Sequence, residues 1–460
     1  MTVKTQLTLY GHISCDFSES KLEQICIPKV GVQTGPFGSQ LHNEDYVESG
    51  TPIITVEHLG ENRILHENTP FVSDEDRIRL KKYSLKCGDI VFSRVGSVDR
   101  RALVRKTEDG WLFSGRCLRV RVNREVIDPV YLSYFFGLDS FKEYIRSIAV
   151  GATMPSLNTK ILSDIPIYYP PLPEQHAIAR ILSSLDDKIE LNRKINATLE
   201  AMAQALFTSW FVDFDPVRAK AEGRAPAGMD EETAALFPDG FEEVDGREVP
   251  VGWRVAPLTE VIEVNPRVSL SKGEVAPYLD MKNMPMQGHR AIEWVDRPFG
   301  SGVKFMNGDT LLARITPCLE NGKTAYVDFL KDDQVGWGST EYIVFRPKPP
   351  LPKEYGYCLA RSEELRTYAI LNMTGTSGRQ RVSASCFENY LVVVPSSDIA
   401  KSFERIVKSI MVLIKQKDEE SRTLAALRDT LLPRLISGEV RVPVDEGERA
   451  TIEQTQARRW

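Results

Sequence analysis

Apolar residues recur at alternating steps of four and three along two stretches of this chain. In the first, Ile181, Leu185, Lys188, Asn192, Ile195, Leu199, Met202 and Leu206 keep that rhythm. In the second, Phe403, Ile406, Ile410, Leu413, Lys417, Glu420, Leu424, Leu427 and Leu431 keep it as well. The spacing predicts two long helices with a coiled-coil seam. Polar residues break each seam near its middle, Lys188 and Asn192 in one, Lys417 and Glu420 in the other. Antiparallel pairing sets Ile181 near Leu431 and Leu206 near Phe403, which brings the polar layers opposite each other. Buried polar seam residues specify register at some cost in stability. The competing reading is two ordinary amphipathic helices, each packed on its own domain. A helix of forty residues is roughly 60 Å long, more than a small domain needs.

The two stretches are also copies of each other. Leu199, Met202 and Leu206 fall on Leu424, Leu427 and Leu431 by addition of 225, and Ile178, Ile181, Leu185 and Ile189 fall on Phe403, Ile406, Ile410 and Ile414. Upstream of each lies a mixed region. Strand-length runs at Thr51–Val56, Asp89–Phe92 and Cys117–Val122 precede a predicted helix over 128–147, where Pro129 suits a first turn. The second copy repeats the order with strands at Asp309–Ala313 and Tyr342–Arg346 and a helix near 353–371. Gly88-Asp89 matches Gly308-Asp309, Arg94 matches Arg314, and Ser114 matches Ser339. Between the copies, 213–251 is rich in Pro, Gly, Ala and acid and reads as a linker with one short helix at 230–237.

Composition narrows the function classes. With 42% apolar and 27% charged residues, and no apolar run long enough for a bilayer, the 460-residue chain reads as a soluble multidomain protein. Its first residues, Met1 to Gln6, lack the apolar core of a signal peptide, so a cytoplasmic location is expected. The seven cysteines and six histidines show no metal-ligand spacing, so no metal site is expected. The formal net charge of −6 hides a strong segregation. Residues 77–124 carry fourteen Lys and Arg against four Asp and Glu, whereas 216–250 carries four against nine. Such segregation can build a basic face on an acidic protein.

Signs of catalysis are missing. Asn265-Pro266 is followed by Arg267, not by the residues that grip a target amine in adenine methyltransferases. Gly322-Lys323-Thr324 ends like a phosphate-binding loop, yet the position needing its first glycine is Pro317. The acid-x-Lys triplets Asp280-Met281-Lys282 and Glu19-Ser20-Lys21 have no acidic partner placed by the repeat. Where the copies agree, the residues are turn and core types; where they differ, the residues are polar and loop-borne.

Four segments carry a resemblance to a known family. They are Pro170-Pro171-Leu172-Pro173-Glu174-Gln175 entering the first long helix, Leu206 to Val217 leaving it, Leu431 to Glu439 ending the second, and Ala313 to Lys323. With the order domain, helix, domain, helix, these resemble the DNA-specificity subunit of type I restriction-modification systems. The second helix departs from the pattern, beginning with Pro395-Ser396-Ser397-Asp398. The resemblance implies an α+β protein of two similar mixed α/β target-recognition domains, separated and joined by two long helices that form an antiparallel coiled coil. The expected boundaries are 1–170 and 249–397 for the domains, 171–215 and 398–438 for the helices, 216–248 for the acidic linker and 439–460 for a flexible tail.

It further implies a subunit without its own catalysis. Each domain reads one half of a bipartite, asymmetric double-stranded DNA site, and the helices set the spacer and dock two modification subunits. Restriction subunits join that complex. S-adenosylmethionine, ATP and Mg are expected in those partners and no cofactor in this chain. The competing classes are a catalytic methyltransferase or nuclease with duplicated domains, and a coiled-coil scaffold that binds only protein.

Within that reading, Arg94, Arg100 and Arg101 are candidates for phosphate or guanine-edge contacts, against a plain charged surface. Arg379, Gln380 and Arg381 suit guanine and adenine edges. Gln33, Thr34, Gly35 and Ser39 belong to a glycine-containing segment where backbone amides can approach a phosphate, or form an ordinary turn. Gly96, Thr153, Arg314 and Lys323 complete the DNA-binding set.

Overall fold

The computed structural model describes residues 4–36, 40–376 and 378–443. The chain divides into two compact units, Met1–Ile189 with Arg422–Trp460, and Glu190–Ser421. The division falls inside both long helices, Leu172–Phe211 and Ser397–Ile436, so each unit holds a globular body and part of each helix. Among the described residues no helix is long and apolar enough to cross a membrane.

In the first unit, an antiparallel sheet runs in the order Val32–Thr34, Cys117–Val120, Ile90–Ser93, Arg101–Leu103. A second sheet orders Leu112–Phe113, Thr51–Ile54, Phe71–Val72 and Tyr46–Val47, its first pair parallel. The strand Pro166–Tyr169, just before the long helix, pairs with Ser18–Lys21. Continuous burial of Ile90, Val91 and Phe92 explains why this strand lacks polar alternation: both its faces are covered by core.

The second unit repeats the antiparallel sheet strand for strand, and three strands of the other, whose fourth strand lies at the opposite end. Its antiparallel sheet orders Ile262–Val264, Tyr342–Pro347, Thr310–Ala313 and Thr324–Tyr326. The other orders Val295–Pro298, Val275–Leu279, Gly336–Gly338 and Val303–Phe305, with one parallel pair where Tyr278 meets Trp337. Leu391–Val394 pairs with Arg254–Pro257 just before the second long helix.

A shared turn fixes the two frames. Gly88 and Gly308 have φ of +92° and +89°, the left-handed region where glycine is unstrained. The following aspartate accepts from the backbone N–H three residues earlier, Lys86 to Asp89 and Met306 to Asp309, both at 2.7 Å. Asp89 then receives Nε and Nη2 of Arg121 at 2.7 and 2.6 Å, and Asp309 receives the same two atoms of Arg346 at 2.6 and 2.7 Å.

The helix predicted over 128–147 is two helices, Pro129–Phe135 and Asp139–Ile148, and that near 353–371 is Lys353–Arg361 and Glu363–Leu371. Extended backbone at Leu138 and Ser362 breaks them. Asp128 caps the first by accepting from the Tyr131 N–H, and Ser362 caps the last by accepting from that of Leu365.

The segment between the copies is folded. It forms helices Asp215–Ala221 and Glu231–Leu236 and a hairpin of Phe241–Val244 with Arg247–Pro250. Its charge hides an apolar minority: Phe214, Val217, Phe237 and Val249 are buried, the first three within the second unit's core. Composition alone undervalues such residues, since an apolar minority in a charged segment can still be buried on a neighbouring core.

In the second unit the helix segments run antiparallel. Asn192 Nδ2 donates to the Lys417 carbonyl, Glu420 Oε2 and Ser421 Oγ at 3.3, 3.1 and 3.2 Å, while Asn196 Nδ2 reaches the Ile414 carbonyl at 3.4 Å. The Phe207 and Phe403 rings lie 6.3 Å apart. In the first unit Asp186 accepts from Arg428 at 2.8 Å and from Tyr134 at 2.6 Å, tying both helices to the globular body.

Among the seam positions, Asn192 and Phe403 are fully buried. Ile181, Leu185, Lys188, Ile195, Leu199, Leu206, Ile406, Ile410, Lys417, Glu420, Leu424 and Leu431 are half-buried. Met202, Leu413 and Leu427 are exposed. Deeper burial falls on neighbouring positions: Ile178, Leu182, Ala203, Phe207, Val407 and Leu435 face the globular cores. Each helix thus serves two surfaces, a domain and a partner helix.

Candidate nucleic-acid interface

The polar loops in which the copies differ are held together by the same backbone bonds in both units. In the first, the Leu157 N–H donates to the Arg94 carbonyl at 2.8 Å, that of Gly96 to Pro155 at 2.9 Å, and Val95 bridges to Ser156. In the second, the Val382 N–H donates to the Arg314 carbonyl at 2.9 Å, that of Thr316 to Gln380 at 3.0 Å, and Ile315 bridges to Arg381. A third loop joins each pair: the Arg94 N–H donates to Arg116 at 2.8 Å and that of Arg314 to Glu341 at 3.0 Å. Thus segments far apart in sequence meet at one edge of each antiparallel sheet.

On the first frame, Gly96 and Thr153 are exposed loop residues, Gly96 with φ of +77°. Arg94 is half-buried, with Nη1 3.3 Å from the Gly115 carbonyl and 3.4 Å from Thr34 Oγ1. Arg100 donates from Nε to the Leu59 carbonyl at 3.0 Å. Gln33 and Thr34 are half-buried on their strand, opposite Arg119 and Leu118. Ser39 lies outside the described residues.

Two assignments change. Arg101 is 5% exposed, donates to the Ser133 carbonyl at 3.2 Å, and is pushed by burial to a pKa of about 10, so it does not face DNA. Its place on the strand Arg101–Leu103 turns it inward, where its neighbours in sequence gave no hint of a core cation. Gly35 does make a close approach, but to backbone: a Cβ there would sit 2.1 Å from the Ser114 oxygen. The basic run 77–124 therefore supplies less surface charge than its count suggests, since Arg119 is also buried and Arg121 is held by Asp89.

On the second frame, Arg379 is exposed and Gln380 half-buried. Arg381 is held by Glu341, with Nε 2.9 and 3.0 Å from the carboxylate oxygens and Nη2 at 2.8 Å. Lys323 donates to the Met281 carbonyl at 2.7 Å. Arg314 is half-buried, and its Nε is a buried donor with no partner. Unlike Arg101, these residues lie on or beside the loop frame.

The profile of the Type I restriction modification DNA specificity domain matches residues 16–201. The chain is 28% identical over 420 residues to the Type I restriction enzyme HindI specificity subunit of Haemophilus influenzae, covering 78% of this chain and 88% of that one. It is 28% identical over 323 residues to the Type I restriction enzyme MjaIX specificity subunit of Methanocaldococcus jannaschii, covering 68% and 69%. Over residues 16–201 the chain matches this specificity domain, and the relatives it resembles are type I restriction enzyme specificity subunits. A crystal structure of the type I restriction-modification S subunit from M. genitalium shares its fold, with a TM-score of 0.54 at 16% identity over 95% of this chain and 99% of that one. Specificity subunits are non-catalytic components of their systems. In this chain, among the described residues, no three His, Cys, Asp or Glu side chains gather where they could hold a metal ion.

Two residues of this interface escaped sequence reasoning. Arg116 is exposed on the loop whose carbonyl receives Arg94, and Glu341 occupies the corresponding place beside Arg314. Both lie two residues beyond the matched pair Ser114 and Ser339, so the repeat itself held the signal.

Proposed function

We propose that this chain reads a bipartite, asymmetric double-stranded DNA sequence for a type I restriction-modification complex. Each unit reads one half-site through its paired loops, and the two long helices set the spacer. Two modification subunits dock beside those helices, and restriction subunits complete the assembly. S-adenosylmethionine, ATP and Mg belong to the partners, and methyl transfer and cleavage occur there.

One observation carries this reading: the backbone bonds that join the loops are the same in both units, while their polar side chains are not. Arg94, Arg100 and Thr153 stand on one frame and Arg314, Lys323, Arg379, Gln380 and Arg381 on the other. Equal side chains would read a palindrome; unequal ones read two unlike half-sites. Side-chain donors of this kind discriminate base edges, while the exposed cations hold phosphates.

The test is methylation mapping of DNA treated with the assembled complex. Two unlike motifs separated by a constant gap are expected, and a palindromic or continuous motif would overturn the reading. Affinity of the complex should fall steeply with salt, about 0.9 in log-log slope for each phosphate neutralised. Labelled S-adenosylmethionine incubated with DNA and the isolated chain should give no transfer.

A further inference from the structure

We propose that Glu341 is a positioning residue that presents Arg381 end-on to a guanine of the second half-site. The inference rests on the reading of the second unit as a DNA-reading domain. Both residues are pinned through their backbones. Arg381 lies on the strand Arg381–Val382, paired with Met373–Thr374, and bridges to Ile315 on the other side. The Glu341 carbonyl accepts from the Arg314 N–H at 3.0 Å, and its own N–H donates to Ser339 Oγ at 3.1 Å. Neither end of the pair therefore hangs on a free loop.

The carboxylate lies at the side edge of the guanidinium, where both its oxygens accept from Nε and Nη2 stands in ion-pair contact at 2.8 Å. Nη1 donates to the Arg379 carbonyl at 3.3 Å. That leaves one hydrogen on Nη1 and both on Nη2. Guanine O6 and N7 form the acceptor pair that such parallel donors match. The side chain of Arg381 is 42% exposed against 24% for Glu341, so the carboxylate is the more covered partner and the guanidinium the more accessible one. Charge argues in the same direction. With Glu341 offsetting its charge, Arg381 has lost much of its pull on a phosphate but keeps hydrogens to donate on both Nη nitrogens. A clamped planar fork also loses less side-chain entropy on binding than a free one.

The first unit lacks the device. At the positions 225 residues earlier stand Arg116 and Ser156. Arg116 is exposed, and Ser156 Oγ donates to the Val150 carbonyl at 3.1 Å. The two frames thus carry opposite charge at one matched place, and the clamp acts on the second half-site alone.

The experiment maps the methylation preference of the assembled complex carrying Arg381→Ala, Arg381→Lys, Glu341→Gln or the double variant Arg381→Ala with Glu341→Gln. Arg381→Ala should cost roughly tenfold or more in discrimination at one guanine of the second half-site. The first half-site and the gap should stay unchanged, which also reports that the variant is folded and assembled. Arg381→Lys should fail to restore that guanine, because an ammonium lacks the planar pair of donors. Glu341→Gln should lower discrimination at the same position by less, and add nothing in the Arg381→Ala background. The proposal fails if Arg381→Ala weakens binding evenly across sequences, which marks a phosphate contact. It fails equally if Glu341→Gln alters preference without Arg381. Either result leaves the bipartite reading standing, whereas a native complex with no split motif removes that reading itself.

Discussion

Asp89 and Arg121 form a two-bond ion pair in which the carboxylate is 2% exposed and the guanidinium 16%. Asp309 and Arg346 repeat it with a carboxylate 1% exposed. The pair joins the turn entering one central strand to the end of the next, so it fixes the register on which the loop frame depends. Removing one partner of a buried pair leaves an uncompensated charge, which costs about 3 kcal/mol or more. Arg121→Met should destabilise the first unit by that amount, seen as an earlier unfolding step in urea. An unchanged midpoint would show that the pair contributes no net stability.

Gly35 should tolerate no side chain, for reasons of packing. The atoms that a Cβ would meet, at 2.1, 2.5 and 2.8 Å, are backbone atoms of Ser114 and Phe113 and cannot rotate away. Gly35→Ala should cost about 1–3 kcal/mol, the usual penalty of overpacking. Thermal unfolding checks this. Native stability combined with weaker DNA binding would instead mark Gly35 as a phosphate cradle.

The second unit should have a pH-dependent anchor. His289 is buried between Glu200 on the first long helix and Asp328, at 3.3 and 3.7 Å, with Tyr357, Tyr326, Arg290 and Arg361 around the group. Burial alone would lower the imidazole, but the Asp328 and Glu200 carboxylates beside it outweigh that and raise it above 6.5. Burial likewise opposes ionisation of Glu200 and Asp328, yet His289 holds both below their ordinary values. A raised histidine stabilises the fold fully below its unfolded value of about 6.5 and loses that contribution as pH rises through the folded value. The two lowered carboxylates lose theirs as pH falls through their folded values. Stability of the second unit should therefore decline as pH rises above about 6.5, and His289→Gln should flatten that limb of the unfolding profile. A wild-type profile that is level or rising there contradicts the anchor.

The helices should act as a ruler. Four residues added to each near its middle lengthen each by about 6 Å, close to two base pairs of DNA. The mapped gap should widen while both half-sites keep their sequences. An unchanged gap would remove the helices from spacing.

Asn192 should contribute more to register than to stability. Its amide nitrogen meets three acceptors, but its Oδ1 is buried with no partner. Asn192→Leu should leave stability within about 1 kcal/mol, because Ser421 and Glu420 keep bonds to Lys417. A loss well beyond that in denaturant unfolding would show the amide to be a structural mainstay.

The sequence by itself determined the duplication, the two long helices and the strands Thr51–Ile54, Ile90–Ser93 and Cys117–Val120 to within a residue or two. These are periodic or local features, and periodicity is written directly into side-chain order. It also separated the matched turns from the divergent loops. Tertiary structure alone decided which loops meet, because the bonds joining 94–96 to 155–157 and 314–316 to 380–382 are made by backbone and leave no residue signature. It alone turned Arg101 inward and left Arg116 outward, since burial of a cation depends on what packs over it and not on its neighbours in sequence. The clamp between Glu341 and Arg381 spans forty residues and belongs to the same class. Long-range partners are chosen by the folded backbone, which a count of charges along the chain cannot follow.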